Sequence, residues 1–225
     1  MVPIIVGRNL KPKTTLDSNQ PPASTGEQKI VSYRTVRGMI RSGDVLLFRA
    51  GRRLSNRLIA RGTRSHYAHA AMAAWWNGTL MCLEMLQTTG GRAVTFSSQI
   101  CGYPQQWDVY RARPGIEFDA HRAVEAMLRM TGTPYGWPTL FRCAVRRLPI
   151  VRLLVSPPSE SDDRPALDER GRATIPDDPL HCSAAVSRAL RAGRLDPVAN
   201  LPDWATTPGD LSRSALLEYR FTIDQ

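Results

Sequence analysis

The sequence predicts an α+β fold, an antiparallel sheet packed with helices, and three observations carry that expectation. Two apolar runs, Ala68–Trp76 and Thr79–Leu86, flank Asn77-Gly78, and Asn-Gly between apolar runs is a strong short-range hairpin signal. Shorter strand-like runs stand apart from them at Val45–Phe48, Gln106–Ala112 and Leu217–Ile223. Helix-like segments, Asp119–Met130 and His181–Ala192, fall between and after these. With 225 residues, 42% of them apolar, the chain can bury a core without staples, and wholesale disorder or a collagen-like structure is excluded. No apolar run approaches the ~18 residues that a membrane-spanning helix requires.

Residues 1–33 are polar, rich in Pro, Thr, Ser, Asn and Gln, and show no sustained period. They read as an extended N-terminal arm. Ordering such an arm costs ~1–2 kcal/mol of chain entropy per residue, so a partner chain is the expected source of contacts, and the arm is expected to lie on neighbouring subunits of an assembly. Met-Val-Pro-Ile-Ile-Val-Gly-Arg at its start has neither a basic n-region nor a small-residue cleavage site. No signal peptide is therefore expected, and the protein is expected to stay cytoplasmic where made or to leave inside a virion or other particle.

The remaining residues, 34–225, read as one domain. Tyr33–Arg41 is helix-like, Ser42-Gly43-Asp44 a turn, and Arg53–Arg61 a basic amphipathic helix. Asp119–Met130 has Asp119 as its N-cap, with Ala120, Val124, Met127 and Leu128 expected to face inward. Thr139–Leu154 is apolar but studded with Arg142, Arg146, Arg147 and Arg152. Residues 156–179 form an acidic, Pro-containing insert of seven acids and three arginines in a protein of net charge +10. So long a connection reads as a lid or a separate segment.

The charge is nearly all arginine, the only lysines being Lys11, Lys13 and Lys29. Guanidinium grips phosphate and carboxylate groups bidentately, so an anionic surface is a conceivable partner. Specific nucleic-acid binding has charge alone in its favour, because no helix-turn-helix, zinc or RNA-binding motif accompanies it. The four cysteines, Cys82, Cys101, Cys143 and Cys182, contain no Cys-x-x-Cys. They read as reduced thiols rather than a zinc or disulfide framework.

Thiol chemistry needs a thiolate, an imidazole to manage the proton and a third group to orient the ring. Cys182 opens a predicted helix, where unpaired N–H groups and the helix dipole lower a thiol pKa and can hold an oxyanion. Position alone leaves a packing role for it open as well. All four histidines, His66, His69, His121 and His181, precede it. His181 is expected to point away from Cys182, and His121 to face solvent. A two-residue hairpin turn pairs Trp76 with Thr79, Ala71 with Glu84 and His69 with Leu86. His69 and Glu84 then share one face as diagonal neighbours, and His66 takes the other. A satisfied structural His–Glu pair would explain the same register.

Thr131-Gly132-Thr133-Pro134-Tyr135-Gly136-Trp137 and His181-Cys182-Ser183-Ala184-Ala185-Val186 together resemble the G-x-P-Y…C-S-x-x-V signature of NlpC-type, papain-like cysteine hydrolases. The histidine precedes the cysteine, which resembles the circularly permuted branch that includes lecithin–retinol acyltransferase-like proteins. Ser42-Gly43-Asp44-Val45-Leu46 and the segment Thr63–Ala71 resemble its opening and histidine motifs. The likeness spans residues 42–190, with Thr207–Leu211 as a further echo, while Ala184 and Ala185 depart from the acidic or bulky residue common after Cys-Ser. It implies a papain-like core and acyl transfer to water without metal or cofactor. Cys182 would be nucleophile, His69 base, Glu84 orienter, and Tyr135 with Ser183 the oxyanion and substrate contacts. Expected substrates are a peptidoglycan peptide amide or a lipid acyl group. The competing expectation is a catalytically silent assembly protein on the same fold.

Overall fold

In a computed structural model of the chain, residues 29–50, 65–102, 106–147, 178–199 and 201–224 are described. The Arg53–Arg61 helix, nearly all of the arm and nearly all of the acidic insert lie outside them.

One seven-stranded sheet organises the domain. Its strands are β1 (Ile30–Ser32), β2 (Val45–Arg49), β3 (Tyr67–Trp76), β4 (Thr79–Leu86), β5 (Gly90–Thr95), β6 (Trp107–Ala112) and β7 (Leu217–Asp224). They run in the order β1-β7-β6-β2-β3-β4-β5. Among the described residues, only the β1–β7 pair is parallel. The hairpin forms in the expected register, Trp76 opposite Thr79 and Ala71 opposite Glu84. Asn77 (φ 44°) and Gly78 (φ 73°) both adopt positive φ, as a type I′ turn requires.

Of the elements not expected from sequence, three complete the sheet and its cover. Strand β1 recruits Ile30–Ser32 from the segment read as arm, because its backbone finds the open edge of β7. Gly90–Thr95 carries two glycines and pairs with β4 nonetheless. Helix α2 (Phe96–Gly102) follows directly and seals one sheet face with Phe96 and Ile100. The expected helix at Tyr33 is short, α1 (Tyr33–Val36) followed by a 3₁₀ turn, Arg37–Met39.

Both sheet faces are covered, which explains why β2 reads as an unbroken apolar run rather than an alternation. On one face Val36, Ile40, Leu46, Phe48, Phe96 and Trp107 form a core under α1 and α2. On the other, Val45, Leu47, Met72, Leu83 and Met85 pack against α3 (Ala120–Arg129) and α5 (Cys182–Ala192). Asp119 caps α3, accepting from the Arg122 amide at 3.0 Å. The fully buried face of α3 is Ala123, Ala126 and Met127; of the expected set Ala120, Val124, Met127 and Leu128, Met127 is buried and Val124 and Leu128 pack against the core half-buried. Small residues win that face because α3 also packs closely on α5. In α5, Ala184, Ala185, Val186, Ala189 and Leu190 are fully buried, so the helix approaches the sheet at close range. Burial of a side chain such as Leu190 contributes ~1.5–3 kcal/mol.

A buried carboxylate ties the middle strands. Asp108 accepts from Arg49 Nε (2.9 Å), Tyr67 Oη (2.5 Å) and Thr222 Oγ1 (2.6 Å), joining β2, β3, β6 and β7. A network so fully satisfied rigidifies the sheet beside the site.

Candidate active site

Strands β3 and β4 part where their ladder ends, at Ala71–Glu84. Below that point β3 continues against β2 and β4 against β5. The expected His69–Leu86 pairing is therefore absent, and His69 sits at the split, opposite Phe48 of β2. The opening lets its ring meet Glu84 on one side and the start of α5 on the other.

The route into α5 is held by close backbone contact. The Gly136 amide donates to the Leu180 carbonyl at 3.0 Å, and Thr139 Oγ1 donates to the Pro179 carbonyl at 3.0 Å. A Cβ at Gly136 would lie 2.2 Å from that same Pro179 oxygen, so only glycine permits the approach. Gly136 precedes α4 (Trp137–Arg146), and the contact fixes where Cys182 begins its helix.

Cys182 is buried within this arrangement. Burial pushes its thiol up, but the charge of His69 and hydrogen bonds from His181 and His69 outweigh burial and hold it well below the usual thiol range. His69 Nε2 lies 2.7 Å from Glu84 Oε2, which leaves Nδ1 as the ring nitrogen for the thiol. Burial opposes the charged ring, yet the charge of Cys182, a hydrogen bond to Cys182 and the bond to Glu84 push His69 up to about 10. Glu84 is 2% exposed. Burial favours its neutral form, but its hydrogen bond and charge pairing with His69, followed by Arg92, hold it below the usual carboxylate value.

Arg92 was missed in the sequence. It stands opposite Glu84 on β5 and donates to Oε1 from Nε at 2.8 Å and Nη2 at 2.6 Å. No apolar–polar alternation marks Gly90-Gly91-Arg92-Ala93-Val94 in the sequence, so pairing with β4 alone reveals the strand. Gln87, just past β4, was missed too and donates to the Tyr135 hydroxyl. That hydroxyl also meets the side chain and backbone of Cys182, which puts Tyr135 beside the N–H groups at the helix start.

Two expectations need correction. Ser183 is buried, and its hydroxyl proton goes to the Thr206 carbonyl at 2.8 Å. It supports the helix start rather than opening toward a substrate. His181 does not point away from Cys182. It is the N-cap of α5 in extended backbone (φ −85°, ψ 171°), and its ring folds back to hydrogen-bond the thiol. His66 stacks on Tyr67, with ring centroids 4.2 Å apart, and His121 is exposed.

A thiol in the first turn of a helix, an imidazole joined to it and a carboxylate beyond the imidazole stand together on a sheet packed with helices, an arrangement able to support thiol chemistry. Residues 39–140 match the model of a family described as "Permuted papain-like amidase enzyme, YaeF/YiiX, C92 family". That match contains His69, Glu84 and Tyr135 and ends before Cys182. It supports a permuted papain-like cysteine hydrolase family for the chain. The crystal structure of the metalloprotein yiiX from Escherichia coli O157:H7 is also similar, at 15% identity and a TM-score of 0.46, covering 80% of this chain and 96% of that one. No curated protein matches the chain. Among the described residues, no group of three or more His, Cys, Asp or Glu side chains is placed to hold a metal ion.

Proposed function

We propose that the protein is a cysteine hydrolase that cleaves an amide, with a peptide of peptidoglycan as its substrate class, through Cys182, His69 and Glu84. The observation that carries the reading is the unbroken line Cys182–His69–Glu84–Arg92, in which each polar group has its partner. The amide follows the family description, and a net charge of +10 suits an anionic wall polymer.

In the first step the Cys182 thiolate attacks the amide carbon, and the carbonyl π electrons move onto oxygen. Backbone N–H groups at the start of α5 and the Tyr135 hydroxyl receive that oxyanion. His69 gives its Nδ1 proton to the departing nitrogen as the C–N bond breaks, leaving a thioester and a neutral ring. Water then attacks the thioester while His69 takes its proton. The C–S bond breaks, the product leaves as the carboxylic acid and ionises by releasing its remaining proton to solvent, and thiolate and imidazolium are restored. Glu84 accepts from Nε2–H throughout, fixing the tautomer and the ring plane.

A second reading, acyl transfer from lipids as in the lecithin–retinol acyltransferase-like branch, draws on one feature. Trp137 and Phe141 stand one turn apart on α4, 53% and 72% exposed, and the Trp137 ring contacts Tyr135 at 5.3 Å. An apolar acyl chain would find a surface there. Hydrolysis of muropeptides against short-chain lipid esters separates the two readings. Cys182→Ala and His69→Ala should each abolish hydrolysis, whereas His66→Ala should leave it nearly intact. Equal losses from His66→Ala and His69→Ala would refute the assigned base.

A further inference from the structure

The catalytic line leaves one buried imidazole unused. His181 is 1% exposed, and each group around its ring is an acceptor. Nε2 lies 2.9 Å from the Trp204 carbonyl, which accepts only, so Nε2 carries a proton. Nδ1 lies 3.3 Å from Ser183 Oγ, whose single proton already goes to the Thr206 carbonyl. Cys143 is hydrogen-bonded to the ring, and its Sγ directs its own proton to the Ala205 carbonyl at 3.5 Å. Cys182 is the remaining partner, and in the proposed function it is a thiolate. A neutral imidazole would turn a lone pair toward groups that have no proton to give.

The surroundings favour a cation in a second way. Trp204, Ala205 and Thr206 aim three successive carbonyls at this cluster. The cationic neighbour at the C-cap of α4, Arg147, donates to the Ala205 carbonyl but is neutralised by Asp210. Arg142 and Arg146 lie over the Trp204 ring rather than against the imidazole. Asp203 is engaged by Ser187 and Arg191. Burial disfavours the charged ring, yet hydrogen bonds to Cys143 and Cys182 push His181 up to about 10.

We propose that His181 is a permanently charged positioning residue, a second imidazolium that holds the Cys182 sulfur as thiolate when His69 has given up its proton. The inference rests on Cys182 being the nucleophile. Its consequence falls on the second half of the reaction. His69 is neutral in the thioester and takes a proton from water as hydrolysis proceeds. The sulfur must therefore leave as thiolate beside a charge that His69 has only just acquired. A fixed imidazolium on its other side lowers the cost of that departure. His181 itself neither gains nor loses a proton in the cycle.

The test follows carboxymethylation of Cys182 by iodoacetamide across pH in wild-type protein and His181→Gln, whose amide keeps a donor for the Trp204 carbonyl. The expected loss is about tenfold or more near pH 6, shrinking to within about threefold near pH 10, since only the thiolate fraction depends on the charge. An equal loss at all pH values, or none, overturns the proposal. Imidazole NMR of the wild-type protein, with the His181→Gln spectrum identifying the His181 signals, gives an independent readout in protein that retains His181. The ring should remain doubly protonated at about pH 8, and titration near the ordinary histidine value of ~6.5 overturns the charged state. Were wild-type Cys182 itself inert to iodoacetamide at neutral pH, the hydrolase reading would fail, whereas a neutral His181 beside a reactive Cys182 would sink this inference alone.

Discussion

Glu84→Gln tests the electrostatics of the site at its most buried member. The carboxylate receives His69 Nε2 at 2.7 Å and Arg92 at 2.6 and 2.8 Å, with 1% of its side chain exposed. Glutamine keeps the shape and one acceptor but removes the charge from between two cations. At 4 Å and an effective dielectric of about 20, a unit charge pair is worth ~4 kcal/mol. The His69 side chain retains 16% exposure, and solvent screening there reduces the loss to roughly 1–3 kcal/mol. That corresponds to a fall of about one to two units in the His69 pKa from its value of about 10. Below that lowered value His69 stays charged and still holds the thiolate, so the pH range over which thiolate and imidazolium coexist narrows at its upper end. Thiolate absorbance near 240 nm, taken as a difference against Cys182→Ala, reports one end, and imidazole NMR of His69 the other. An unchanged range in a folded Glu84→Gln protein would refute the assignment of Glu84 as the partner that holds the imidazolium.

The same carboxylate makes an acid-stability prediction. Its folded pKa is depressed, so it contributes stability present above the unfolded value of ~4.3 and lost as pH falls through the folded value. Urea midpoints of wild type should therefore drop from pH 7 to pH 3 more than those of Glu84→Gln, and equal drops would contradict the linkage. Gly136→Ala should cost ~1–3 kcal/mol and slow alkylation of Cys182, because the new Cβ meets the Pro179 carbonyl. Gly38→Ala, with nothing within 4 Å of the added methyl, is the control and should change neither urea midpoint nor alkylation rate.

Local chemistry carried the parts of this protein that depend on neighbours in sequence. Asn77-Gly78 dictates positive φ at two successive residues, hence the turn, hence the register that sets His69 and Glu84 on one face. Asp119 caps α3 by accepting from the Arg122 amide, and the short apolar run at Val45 marks a strand by its composition. Tertiary structure decided what depends on partners distant in the chain. Strand β1 exists because β7 offers an open edge, and a segment of 3 residues forms no strand alone. The split between β3 and β4 admits the thiol to the ring, and Arg92 reaches Glu84 across a ladder that two glycines obscure in the sequence. His181 shows the difference most directly. A helical position would send its ring away from Cys182, but extended backbone at the cap turns it toward the thiol. The partners that hold it there, Cys143 and the carbonyl of Trp204, come from other segments of the chain. The charge state of a buried imidazole is set by which acceptors surround it, and that shell exists only once those segments have packed together.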